Sequence, residues 1–149
     1  MRALATHIRE YVTDSGLPGT VPSDTGGVNN GNTPDWKVLA IQSYETEKYA
    51  LQIQERWFTS GVVGNQYIEC QPGTCPVSTT ALPTINDNHM PGAFYLDIGG
   101  SYQLLPGATA YLKVDNVLNE EPAPSTNFIN PALYDVLGRV YRLGLRFNL

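Results

Sequence analysis

Phe94-Tyr95-Leu96-Asp97-Ile98-Gly99-Gly100-Ser101-Tyr102-Gln103-Leu104 decides the fold class. Phe94, Leu96, Ile98, Tyr102 and Leu104 fall on one side of an extended chain, and Tyr95, Asp97, Gly99, Ser101 and Gln103 on the other. That period of two fits a strand with one apolar face and excludes a helix, whose side chains repeat every 3.6 residues. Five more segments read the same way: Arg2 to Thr13, Trp36 to Tyr44, Tyr49 to Phe58, Thr109 to Val117 and Val140 to Leu149. The run Val38-Leu39-Ala40-Ile41 blurs the second, and Glu55 interrupts the apolar face of the third. No segment carries a helical apolar stripe, so the chain is expected to be all-β, an antiparallel meander of about six strands.

The connections between these strands are uneven. Long Gly-, Asn- and Pro-rich stretches, Asp14 to Asp35, Gly61 to Gly92 and Asn119 to about Leu137, alternate with tight turns at Glu45 to Lys48 and Leu105 to Gly107. Antiparallel strands reverse direction at each step, so the three long loops gather at one end of the sheet and the two turns at the other. Transmembrane β-barrels have this asymmetry. Soluble sandwiches that bind through clustered loops share it.

Composition narrows the field. The chain has 149 residues, with 9 Lys and Arg against 14 Asp and Glu, a net charge of -5. An acidic chain without a basic cluster has no footprint for nucleic acid. Its longest apolar runs, Val38 to Ile41 and Ala93 to Leu96, are four residues, far below the ~20 that a membrane helix needs. A membrane β-strand needs only ~10 residues, alternately polar, and survives that test. Met1 is followed directly by Arg2 and alternating residues, not by the apolar core of a secretory signal.

The two faces differ in kind. Polar faces of the last three strands are built from Asp, Lys, Arg, Gln, Ser and Gly, whereas Tyr49, Trp57, Phe94, Tyr102, Tyr141 and Phe147 stand on apolar faces towards strand ends. Aromatic girdles at both interfaces are a barrel property. The last strand, Arg142-Leu143-Gly144-Leu145-Arg146-Phe147-Asn148-Leu149, resembles the C-terminal β-signal of outer-membrane proteins in Arg142, Gly144, Leu145, Phe147 and Leu149, departing from it in Leu149 where Phe is usual. Strand addition to such an edge is how the barrel-assembly machinery would engage it.

Taken in order, several stretches resemble the C-terminal barrel portion of a TonB-dependent outer-membrane receptor: Asn32-Thr33-Pro34-Asp35-Trp36-Lys37, Leu51 to Ser60, Phe94 to Asp97 through Ser101-Tyr102, Val114-Asp115-Asn116-Val117-Leu118-Asn119, Asn130 to Asp135, and Gly138-Arg139-Val140-Tyr141. The resemblance covers nearly all of residues 1–149. It implies membership in a 22-stranded plugged barrel in the cell outer membrane, which imports siderophores, vitamins or carbohydrates. The implied partners are outer-membrane lipid, the rest of the barrel and its plug, the barrel-assembly machinery, and TonB through an N-terminal part. The expectation is a gene fragment or truncated product: no plug, TonB-contacting segment or signal peptide is recognised, and six strands are fewer than the 8 of the smallest outer-membrane barrel. The competing expectation is a soluble β-sandwich binding a ligand or partner through its loops.

No constellation for catalysis emerges, and no cofactor or metal is expected. Asp97 and Asp115 are placed on the polar faces of neighbouring strands with Lys113 near Asp115, but no activated nucleophile or oriented His accompanies them. Arg56, Arg139, Arg142 and Arg146 are expected to pair with carboxylates, with contact to an anionic substrate as the sharper alternative. His89 beside Asp87 and Asn88 lacks further metal ligands. Cys70 and Cys75, in Cys-Gln-Pro-Gly-Thr-Cys, read as a disulfide stapling a turn in an oxidising compartment. The resemblance places that loop outside the cell. Gly26-Gly27 reads as a loop and Gly99-Gly100 as a bend or close approach within the sheet.

Overall fold

A computed structural model describes residues 1–122 and 130–148. Its frame is one six-stranded antiparallel sheet: β1 (Arg2–His7), β2 (Trp36–Glu45), β3 (Tyr49–Phe58), β4 (Ala93–Leu105), β5 (Ala108–Asp115) and β6 (Val140–Phe147). Spatial order follows chain order, each strand pairing with its sequence neighbours, so the sheet is a meander. The three long connections leave from one end and the two turns from the other. The all-β expectation holds.

Strand ends differ from the sequence reading where local hydrogen bonding wins. The alternation from Arg2 to Thr13 is not one strand: β1 stops at His7, and Val12–Thr13 pairs instead with Ser23–Asp24. The Asp24 carboxylate causes this break by accepting from Tyr11 N (2.9 Å) and Gly26 N (2.8 Å), which folds the loop back on itself. β5 stops at Asp115, two residues early, because Asn116 adopts a left-handed backbone (φ 50°) and gives its N–H to Asp97 Oδ1 at 2.9 Å. The loop between β3 and β4 is not irregular throughout. Gly61–Val62 pairs with His89–Met90, and Ile68–Glu69 lies parallel to Thr84–Ile85.

Register defines two faces. Ala93, Tyr95 and Asp97 point to the side over which the loops fold, here the inner face, and are buried. Their neighbours Phe94, Leu96 and Ile98 point to the outer face. The core lies on the inner side at the loop end, where Phe58, Val63, Met90, Ala93, Tyr95, Leu133 and Tyr134 pack together. The face that reads as polar in β4 thus holds the most buried aromatic among the described residues, Tyr95 at 0% exposure. Phe58 meets Tyr134 edge to face at 5.1 Å between ring centroids, a favourable aromatic geometry.

Gly100 is a close approach: a Cβ there would lie 3.1 Å from Leu51 Cδ2.

Candidate functional site

The loop end is assembled from all three long connections. Asn29, fully buried in a 3-10 turn (Asn29–Gly31), donates from Nδ2 to Thr59 O at 3.0 Å and to the Tyr134 hydroxyl at 3.3 Å. That hydroxyl donates to Pro91 O at 2.6 Å, and Asn130 Nδ2 donates to Asn30 O at 2.7 Å. Asp135 N donates to the Tyr95 hydroxyl at 3.1 Å, which fixes the third connection to β4. Buried polar groups need such partners, and here they come from another loop or, for Asp135, from β4. Gly61 makes this fit possible, since any side chain there would collide with Gly27 O and the Asn29 amide. Burial pushes the Tyr134 phenol above its ordinary pKa, and the hydrogen bond from Asn29 works against that rise.

Below the loops, the inner face is a polar wall. Register places Arg2, Lys37, Arg56, Lys113, Arg142 and Arg146 on it, with Glu45, Asp97 and Asp115 as its carboxylates. Asp97, only 5% exposed, accepts from Asn116 N and from Gln54 Nε2 (3.2 Å) and lies 3.5 Å from Arg56 Nε. Arg56 in turn sits 5.0 Å over the Tyr95 ring. Lys113 and Arg142 are direct cross-strand partners, a repulsive pairing on its own. Asp115 resolves it as an ion-pair partner of both, with Oδ1 2.7 Å from Lys113 Nζ and Oδ2 3.1 Å from Arg142 Nη1. Carboxylate pairing, the plainer expectation for Arg56 and Arg142, is thus observed.

The outer face is apolar and open. Leu143 is 80% exposed, Phe147 65% and Leu145 58%. Two cross-strand aromatic pairs bound it: Phe94 faces Trp57 at the loop end, and Tyr102 faces Tyr49 at the turn end. Trp36 stacks on His7 beside the first pair at 4.3 Å, and Tyr44 lies 5.9 Å from Tyr49 beside the second. Glu55 is the one carboxylate register puts on this face among the described residues, and Gln42 Nε2 donates to it at 3.5 Å.

The residues singled out in sequence are dispersed rather than convergent. Cys70 and Cys75 form a disulfide with Cα atoms 5.2 Å apart, within the loop between β3 and β4. Arg142, Gly144, Leu145 and Phe147 occupy β6, paired on one side only, with β5. Leu149 lies outside the described residues. His89 and Asp87 gather no third metal-binding side chain, and no group of three or more such residues forms among the described residues. Asn29 escaped the sequence reading altogether. Its only signal is the turn-forming run Asn29-Asn30-Gly31-Asn32.

No protein-family model, curated protein or solved structure matches the chain.

Proposed function

We propose that this chain is the C-terminal barrel segment of a TonB-dependent outer-membrane receptor, importing siderophore-, vitamin- or carbohydrate-type ligands as part of the intact receptor. One observation carries the reading: an exposed apolar sheet face bounded by paired aromatics at both ends. Trp57 and Tyr49, like Phe94 and Tyr102, are separated by eight residues. At ~3.3 Å per residue that is ~26 Å along the strand, or ~20 Å along the membrane normal at a tilt of ~40°. This approaches the ~25 Å apolar band of outer-membrane barrels. Glu55 lies two residues inside Trp57, ~5 Å in depth, within snorkelling reach of the interface. A soluble sandwich needs a second sheet over this face, and the other sheets among the described residues are two-residue pairs.

The test is envelope fractionation with an antibody to the 71–83 loop, repeated for Ile53→Arg and Ile98→Arg, each midway between the two aromatic pairs, and for the inner-face control Ser101→Arg. Recovery in the outer membrane is expected for the parent and for Ser101→Arg. Both outer-face variants should be depleted, since Arg facing lipid costs about 2–4 kcal/mol at the midplane. A monodisperse parent chain in the soluble fraction, without detergent, would overturn the reading.

A further inference from the structure

Between the inner face of β1 to β4 and residues 132–133 lies a cavity of about 320 Å³, within the size range of small-molecule sites. Its walls combine apolar surface from Leu39, Phe58 and Leu133 with the ring of Tyr95 and two cations, Lys37 and Arg56. Neither cation has spent its hydrogen-bonding capacity. The Lys37 ammonium, with three N–H groups, donates to the backbone and side-chain oxygens of Asn32, both at 2.6 Å, and has no carboxylate partner among the described residues. Arg56 is held by the Tyr95 ring and turns its buried Nε towards Asp97 at 3.5 Å, which leaves its two terminal Nη groups as the fork. A guanidinium fixed by packing keeps its planar fork of donors for an oxygen pair. Beyond these two, the inner face carries Arg2, Lys113, Arg142 and Arg146 against Glu45, Asp97 and Asp115 in register.

We propose that this cavity binds a small organic oxyanion: a carboxylate taken between Lys37 and Arg56, on an apolar or aromatic body seated against Tyr95, Phe58 and Leu133. The inference deepens the receptor reading and rests on it for the bound molecule's role as cargo. Binding itself requires only the folded sheet.

Benzoate and benzyl alcohol share a ring and differ in charge, so they separate the two halves of the proposal. With the full chain folded in detergent micelles, titration is followed by the NMR signals of the Tyr95 ring. Benzoate should shift them saturably, and benzyl alcohol should bind at least about tenfold more weakly. Arg56→Lys keeps the charge but loses the fork, and should weaken benzoate about tenfold. Arg146→Lys, outside the cavity, should leave it unchanged. Leu133→Trp fills the cavity without touching a charge and should abolish binding. Equal affinity for the two probes, or benzoate binding indifferent to both Arg56→Lys and Leu133→Trp, overturns the proposal. So does the absence of a saturable shift in a sample whose ladder amides are protected from exchange. A chain that binds benzoate but fractionates as soluble overturns the receptor reading alone; an outer-membrane chain that fails the titration overturns the cavity alone.

Discussion

Tyr111 of β5 lies across Gly144 of β6. The two are direct cross-strand partners on the inner face, and a Cβ built on Gly144 would collide with the Tyr111 phenol. The glycine of the assembly-signal pattern therefore has a packing role: it leaves the hollow that a neighbouring ring fills. Gly144→Ala is expected to push the exposed Tyr111 ring aside and destabilise the β5–β6 pair by about 1 kcal/mol, the low end of overpacking costs. Tyr111→Ala in the same chain should return part of that loss. A double-mutant cycle by urea unfolding in micelles measures the coupling, and strict additivity would remove the glycine's packing role.

Tyr134 joins all three loops through one hydroxyl. Tyr134→Phe keeps the ring against Phe58 but strips the bonds to Asn29 Nδ2 and Pro91 O. The expected loss is about 1–2 kcal/mol, confined to the loop end. Amide exchange should quicken in the loops next to Asn29 and Pro91 and stay slow in the β4–β5 ladder. Uniform quickening across the sheet would mean the loops are not a separate unit.

The same groups set a pH window for the loop end. Tyr134 has a folded pKa raised by burial, so its contribution is fully present below the ordinary tyrosine pKa and is lost as pH rises through the folded value. Asp24 has a folded pKa lowered by the backbone N–H groups of Gly26 and Tyr11, so its contribution is present above the ordinary aspartate range and lost as pH falls through the folded value. Loop amide protection should therefore hold across neutral pH and fail at both extremes. Tyr134→Phe should weaken the alkaline limb and leave the acid limb unchanged.

Asp97 is the inner-face carboxylate with the most to lose. Asp97→Ala leaves Arg56 without its counter-ion and Asn116 N without its acceptor. A fully buried pair broken this way costs about 3–5 kcal/mol; with the Arg56 side chain 39% exposed, about 2 kcal/mol is expected. Asp97→Asn, which retains an acceptor, should recover roughly half. Chemical denaturation of the three chains in micelles gives the ranking, and equal stability of the Ala and Asn variants would contradict it.

Period-two alternation located the six sheet strands because each has one face dominated by apolar side chains over most of its length. It overran β1, since Tyr11 to Thr13 keeps the alternation while pairing with another segment. It missed the two-residue pairs inside the loops, which are too short to show a period. The candidate site was less legible still. Asn29 reads as an ordinary loop residue and Asn116 as part of a strand, yet both are fully buried. Their burial depends on partners that no local pattern reveals: Asn29 reaches Thr59 and Tyr134, 30 and 105 positions away. Tyr95 sits in the polar register of β4, and only the folding of the loops over that side turns it into the centre of the core.

The alternation of short turns and long loops also sets an order in time. β2 with β3, and β4 with β5, are hairpins closed by a few residues, so each pair has almost no chain entropy to overcome and can zip within microseconds. Joining the hairpins, and adding β1 and β6, requires closing the long connections. Those steps come later, because distant contacts yield nothing until the ends have met. The interlocked loop end, which needs all three connections in place, is then the last part of the molecule to form and the first to report an incomplete sheet.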